Sequence, residues 1–171
     1  MKIKKILLTF VGTLGFIISS CGQYTNFPGQ FHVSGTSDLV AEISYDSSKN
    51  AKIKLPKLII KGEPGSIGAT FESMNINYGT ADISSYNVPV SFRIDSSHFR
   101  DEKDNVVVSG GTYDLPVISA KVIEYGKRVN VNNLNATITL TGSDDANWPT
   151  TLQIGVPIIF LPSTSGSPVN P

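Results

Sequence analysis

The chain has 171 residues, with 14 basic and 14 acidic side chains that leave a formal net charge of zero. That balance offers no basic footprint for nucleic acid and no polybasic patch for anionic lipid. Gly, Pro, Ser, Thr and Asn are abundant, and the apolar residues are largely β-branched. Such a composition favours strands joined by tight turns over helices.

The first 21 residues have three parts. Lys2, Lys4 and Lys5 form a positive head, an uncharged apolar run covers residues 6–18, and the only cysteine of the chain, Cys21, follows two serines. A helix of about 13 residues spans roughly 20 Å, which is short of the ~30 Å hydrocarbon core of a bilayer. The segment therefore fits a cleaved leader better than a transmembrane helix.

The sequence Ile18-Ser19-Ser20-Cys21 resembles the lipobox of bacterial lipoprotein signal peptides. The resemblance implies cleavage before Cys21, a diacylglycerol on its thiol and acylation of the new amino group with a fatty acid such as palmitate. Two or more acyl chains anchor a protein stably in a bilayer. The alternatives are an ordinary secretory signal with a coincidental cysteine, or a membrane-spanning stub.

The expected location is the cell envelope. In enterobacterial lipoproteins an aspartate after the lipidated cysteine is the usual signal for the inner membrane, and Gly22 stands there instead. The resemblance therefore favours the outer membrane over the inner membrane. A single cysteine also forms no internal disulfide in an exported domain, which agrees with lipidation of its thiol.

The predicted organisation has four parts, which are a signal peptide at 1–20, the lipidated cysteine and an uncharged tether at 21–37, a β-sandwich domain at 38–161 and a flexible tail at 162–171. Loss of the signal peptide leaves 11 basic against 14 acidic residues. Three tether aromatics, Tyr24, Phe27 and Phe31, are unusual for a pure linker. We expect them to pack on the domain or the membrane surface, with docking of a partner as the alternative.

Apolar and polar residues alternate repeatedly between residues 38 and 161, as in half-buried strands. Pro56 interrupts one such run and predicts an edge position or a bend. The phase changes between Phe71 and Met74, which predicts a β-bulge near Glu72–Ser73. No helical period follows residue 21, and the alternation of Ala120, Val122 and Glu124 is interpreted as part of a strand.

Seven to nine strands at regular spacing predict an all-β fold, an antiparallel two-sheet sandwich. The last two strands, 134–141 and 151–161, form a predicted terminal hairpin. The stretch from Asn135 to Asp145 and the alternating strand after it resemble the closing hairpin of bacterial immunoglobulin-like and fibronectin type III-like domains. The resemblance implies an Ig-like sandwich, with jelly-roll and other two-sheet topologies as alternatives.

The sequence contains no recognised catalytic motif. His32 and His98 have no histidine or cysteine at metal-ligand spacing, so we expect surface positions and no metal site. No nucleophile elbow, P-loop or dinucleotide motif occurs, and no cofactor is expected. One alternative is acid–base catalysis by carboxylates of the charged loop 95–105.

Two acidic loops leave a choice between calcium binding and solvated turns. They are residues 100–105 and the turn with Asp144, Asp145 and Asn147. Calcium takes oxygen ligands from such loops, but the EF-hand order is missing and Arg100 and Lys103 lie within the first loop. Solvated turns are the favoured interpretation of both loops.

Trp148 lies in the turn of the terminal hairpin, before Pro149. Aromatic loop residues on a rigid scaffold often bind partners or sugars, so Trp148 is a candidate partner-binding residue, together with Asp144 and Asp145. The alternative is that its ring folds back over the end of the core.

These observations predict a non-catalytic binding or structural module held at the bilayer through acylated Cys21. Its expected partner is another envelope or surface protein, reached through sheet edges or end loops. The alternative is a carbohydrate-binding module in which Trp148, with Tyr86 or Tyr113, stacks on sugar rings. Nucleic acid is not an expected partner.

Overall fold

A computed structural model describes residues 28–46, 48–129 and 131–161. The predicted signal peptide, its lipobox Ile18-Ser19-Ser20-Cys21 and the predicted tail at 162–171 lie outside these ranges. The described part contains a short 3-10 turn (Thr36–Asp38) and ten longer elements. They are β1 (Phe31–Ser34), β2 (Ala41–Tyr45), β3 (Ala51–Lys54), β4 (Lys57–Gly62), β5 (Ala69–Asn77), β6 (Tyr86–Ile94), β7 (Gly110–Asp114), α1 (Ala120–Val129), β8 (Asn133–Asp144) and β9 (Pro149–Phe160).

The strands form two sheets that enclose one hydrophobic core. One sheet has the order β1-β4-β7 and the other has the order β3-β2-β9-β8-β5-β6. The predicted all-β architecture with two sheets is confirmed, and the nine described strands lie within the predicted number. The largest fully buried side chains come from both sheets and from the connections between strands; they are Tyr78, Phe71, Ile43, Leu58, Ile60, Ile76, Ile94, Leu115, Ile138, Leu140, Ile158 and Val117.

Three local predictions are confirmed. β8 and β9 form a long antiparallel hairpin with Leu134 opposite Ile158 and Ser143 opposite Pro149. The register of β5 shifts between Phe71 and Ser73 against both of its neighbours, which is the predicted bulge. The chain bends at Pro56, because β3 ends the six-stranded sheet at its edge and β4 belongs to the other sheet.

One strand pairing differs from the predicted antiparallel sandwich. β2 pairs with β9 in parallel, with Ala41 opposite Ile158 and Ile43 opposite Phe160. Alternation along a strand reports which side chains face the core, but it carries no information on the neighbour or its direction.

The predicted strand at Ala120, Val122 and Glu124 is wrong, because these residues belong to helix α1. Ser119 begins the helix, with its Oγ accepting a hydrogen bond from the Val122 N–H at 3.4 Å, as at an N-cap. Val122 and Gly126, four residues apart, form the buried face. Three positions over five residues are too few to separate a strand pattern from a helical one.

Part of the predicted tether belongs to the domain. β1 pairs antiparallel with β4, with Phe31 opposite Gly62 and Ser34 opposite Ile59, so residues 31–34 of the predicted tether form a strand. The Phe31 ring packs edge-on against Phe71 at a centroid distance of 5.9 Å. The expected packing on the domain is thus confirmed for Phe31, whereas Tyr24 and Phe27 lie outside the described residues.

Within the described residues, no helix is long and apolar enough to cross a membrane.

Candidate functional site

Three acidic turns share one hydrogen-bond pattern. In each turn the aspartate N–H donates to the carbonyl four residues on, and the residue three positions on donates back to the aspartate carbonyl. The aspartate Oδ1 accepts from the N–H groups two and four positions on. The residue three positions after the aspartate has positive φ, as in three-residue hairpin loops with a G1 bulge. The aspartates are Asp46, Asp101 and Asp144, and the positive-φ residues are Lys49, Asp104 and Asn147.

This hydrogen-bond pattern explains the aspartates of the acidic loops as residues that form turns. Backbone hydrogen bonds from Asn50 and Asn105 hold the pKa values of Asp46 and Asp101, respectively, below the usual range of a carboxyl group. In the two loops considered for calcium, Oδ1 of Asp101 and Oδ1 of Asp144 each already accept two backbone N–H groups. Among the described residues, moreover, no three histidine, cysteine or acidic side chains gather as metal ligands.

Asp144 is the most enclosed of the three aspartates, with only 4% of its surface exposed. Its Oδ1 accepts from the N–H groups of Ala146 and Trp148, at 3.0 and 2.8 Å, and its Oδ2 accepts from the Gly29 N–H at 2.8 Å. Burial alone raises the pKa of Asp144, but these three donors outweigh it and leave the pKa lowered. Asp144 therefore joins the final hairpin to the beginning of the described chain.

Asp145 is engaged in a two-pronged ion pair with Arg93. The two guanidinium nitrogens lie 2.8 and 2.9 Å from its carboxylate oxygens, and Arg93 Nε also contacts Asp95 at 3.0 Å. The Asp145 N–H donates to the Gly68 carbonyl at 2.9 Å. Both candidate carboxylates thus hold the turn against neighbouring parts of the domain.

Trp148 keeps 45% of its side chain exposed, although its N–H is fixed by Asp144. A second exposed aromatic, Phe99 (71% exposed), lies with its ring against Gly65 of the β4–β5 loop. Hydrogen bonds join that loop to the β6–β7 connection, where the Ser97 N–H donates to the Ser66 carbonyl, and to the final turn, where the Asp145 N–H donates to the Gly68 carbonyl. We call the segments 63–68, 95–109 and 144–149 the hairpin end.

The two tyrosines considered as sugar-stacking partners do not join Trp148. The Tyr113 ring packs on Phe92 at a centroid distance of 3.9 Å, and its hydroxyl donates to the Arg93 carbonyl. Tyr86 lies at the opposite end of β6, where the strand begins. A stacking site for sugar at Trp148 would therefore not include Tyr86, and the Tyr113 ring already packs against Phe92.

A groove of about 510 Å³ lies at the end of the sandwich opposite the hairpin end. Its lining comes from the β5–β6 loop and the start of α1: Ile83, Ser84, Ser85, Tyr86, Ser119, Ala120 and Lys121. The two segments are tied by hydroxyl donors, Tyr78 to the Val117 carbonyl at 2.7 Å and Tyr86 to the Pro116 carbonyl at 2.9 Å. The surface combines apolar contacts, serine hydroxyls and one ammonium group.

The sequence alone did not reveal this groove. Its two lining segments are separated by more than thirty positions and carry no motif. The one available local signal was Ser119 in front of an amphipathic stretch that ends in Lys127 and Arg128, a pattern typical of a short capped helix.

The edges of the six-stranded sheet carry residues that discourage strand addition. β3 presents Lys52 and Lys54, and β6 contains Pro89, which has no N–H to donate. End loops and the groove are therefore better placed than these sheet edges to contact a partner.

No family model matches the chain, and a search of curated proteins finds no significantly similar sequence.

Proposed function

We propose that the protein is an envelope lipoprotein, anchored through acylated Cys21, whose sandwich is a non-catalytic binding module for another envelope or surface protein. The anchor rests on the resemblance of residues 18–21 to a lipobox, and Gly22 favours the outer membrane. The groove opposite the hairpin end carries the proposal for binding, because it is a mixed polar and apolar concavity, as ligand sites are.

The strand order supports the immunoglobulin-like class for the module. β1, β4 and β7 take the positions of strands A, B and E, while β6, β5, β8 and β9 take those of C′, C, F and G. The β2–β3 hairpin is an addition between the positions of A and B. Antibody domains have a buried tryptophan in strand C, whereas β5 contributes Phe71 and Met74 to the core.

The engagement of the charged side chains supports a non-catalytic role. In the charged loop 95–105, Asp101 accepts from the backbone of its own turn and Asp104 forms an ion pair with Arg100 at 2.7 Å. A catalytic carboxylate needs freedom to exchange a proton with a substrate. These carboxylates instead stabilise the turn.

The test is crosslinking of the lipidated protein in its native envelope, followed by purification and identification of the captured protein. A Ser85→Arg variant places a large cation in the groove, and Ser91→Arg makes the same change on the exposed face of β6. We expect one specific protein crosslink that Ser85→Arg abolishes and Ser91→Arg retains.

Two results would contradict this proposal. A captured protein that resists Ser85→Arg would place binding outside the groove. Robust turnover of an envelope substrate by the purified protein would make the module an enzyme.

The alternative function is carbohydrate binding, which the exposure of Trp148 favours. It predicts saturable binding on a glycan array that Trp148→Ala abolishes. Absence of binding to any glycan on a broad array would dismiss this alternative and leave protein binding unaffected.

A further inference from the structure

The hairpin end is the end at which the chain from Cys21 enters the domain. The Gly29 N–H donates to Asp144 Oδ2 at 2.8 Å, and the Gln30 N–H donates to Ser66 Oγ at 2.8 Å. The Glu63 N–H donates to the Gln30 carbonyl at 2.9 Å. These bonds fix the first described residues beside the turn that carries Trp148.

The covalent chain limits how far this turn can lie from the lipid. Gly29 lies eight positions after Cys21, and an extended chain covers at most ~3.6 Å per residue, or about 29 Å in all. The groove lies a further strand length away, because β8 and β9 each have 12 residues and a strand rises ~3.3 Å per residue. A short tether also keeps the turn at an effective concentration in the mM range at the bilayer.

The side chains exposed at this end suit the interface between lipid and water. Tryptophan is enriched there because its ring is apolar and its indole N–H is polar. Trp148 and Phe99 are both exposed at the hairpin end. The three segments hold seven acidic side chains against Arg100 and Lys103, and Arg100 is paired with Asp104, so anionic lipid is not the expected attraction.

We propose that Trp148, assisted by Phe99, enters the headgroup region of the phospholipid bilayer that holds Cys21. The turn is then a second contact with the membrane, which orients the sandwich with its groove facing outward. This inference rests on the proposed lipid anchor and assigns Trp148 to lipid rather than to sugar.

The experiment uses the tryptophan fluorescence of the full lipidated protein in phosphatidylcholine vesicles. Trp148 is the only tryptophan in the chain, so the emission reports this turn alone. Flotation of the vesicles first tests the anchor. Vesicles with brominated acyl chains then test how close Trp148 lies to the lipid. We expect a blue-shifted emission whose intensity is severalfold lower in brominated than in unbrominated vesicles.

A matched variant moves the reporter to the other end of the domain. Trp148→Phe combined with Tyr86→Trp places the single tryptophan in the groove, where we expect no quenching by bromine. A Phe99→Ala change with Trp148 retained should weaken the quenching without affecting flotation.

The outcomes separate the two proposals. Flotation with a solvent-exposed, unquenched Trp148 overturns the second membrane contact and leaves the anchor in place, whereas failure to float overturns the anchor itself. Quenching at both reporter positions shows a sandwich lying on its side and overturns the proposed orientation. A Trp148 emission that responds to soluble glycan but not to bromine assigns the turn to carbohydrate.

Discussion

Gly29 and Asp144 are joined by a hydrogen bond of 2.8 Å across 115 positions of sequence. This bond closes the domain at the point where the described chain begins. It also links the two features on which the proposed orientation depends, because Asp144 holds the N–H of Trp148 with its other oxygen.

Replacement of Asp144 tests this link. Asp144→Ala leaves three backbone N–H groups without their acceptor in an enclosed site, so we expect the free energy of unfolding to fall by about 3 kcal/mol. Asp144→Asn keeps one oxygen acceptor and should cost less. Asp101→Ala, in the exposed turn of the same pattern, is the matched control and should have a smaller effect. Urea denaturation measures all three, and equal losses at Asp101 and Asp144 would contradict the role of Gly29.

Acid should weaken the fold through the same turns. The pKa values of Asp46, Asp101 and Asp144 are lowered in the folded protein, whereas an unfolded aspartate has a pKa of about 3.9. The unfolded chain then binds more protons, so the stabilisation is complete above that pKa and is lost as the pH falls through the folded values. Replacing all three with asparagine should flatten this acid limb in urea denaturation at a series of pH values. An unchanged limb would assign it to other carboxylates.

Gly126 tests how α1 packs on the sheet. A Cβ at this buried position would collide with the Phe160 ring, so Gly126→Ala should destabilise the fold by about 1–2 kcal/mol despite the higher helix propensity of alanine. Gly155→Ala is the control, because a Cβ there meets nothing within 4 Å. Thermal unfolding compares the two, and equal stability of both variants would place α1 farther from β9.

Replacement of Tyr78 tests what holds the two lining segments of the groove together. Its buried hydroxyl donates to the Val117 carbonyl, and burial raises its pKa. Tyr78→Phe removes this donor from a buried acceptor, so we expect a loss of about 1–2 kcal/mol and faster amide exchange at residues 117–121. Tyr86→Phe, nearer the surface, should lose less. A Tyr78→Phe protein with unchanged exchange in that segment would show that the groove is supported elsewhere.

The faces of the strands and the bulge follow from the sequence because both are local. Side chains of a strand alternate with period two, so the change of phase between Phe71 and Met74 is visible without any knowledge of the partner strands. The terminal hairpin is equally local, since one short turn joins two strongly alternating segments.

The unpredicted features depend on contacts between distant residues. The parallel pairing of Ala41 with Ile158 and the groove between Ile83 and Lys121 leave no periodic trace in either segment. Phe31 looked like part of a tether because four residues are too few for alternation to be distinctive. The aspartate turns are intermediate, because the acidic residues were visible but their shared backbone pattern was not.

The parallel pairing of β2 with β9 determines how the domain resists mechanical force. The chain enters β2 at Ala41, opposite Ile158, and leaves β9 at Phe160, opposite Ile43, so the entry and exit points lie at the two ends of the paired segment. A pull that separates these two points slides the strands along each other and strains their hydrogen bonds together, whereas an antiparallel hairpin pulled open at one end loses its bonds one at a time. The three residue pairs between Ala41–Ile43 and Ile158–Phe160 therefore resist the separation of these two points as a group.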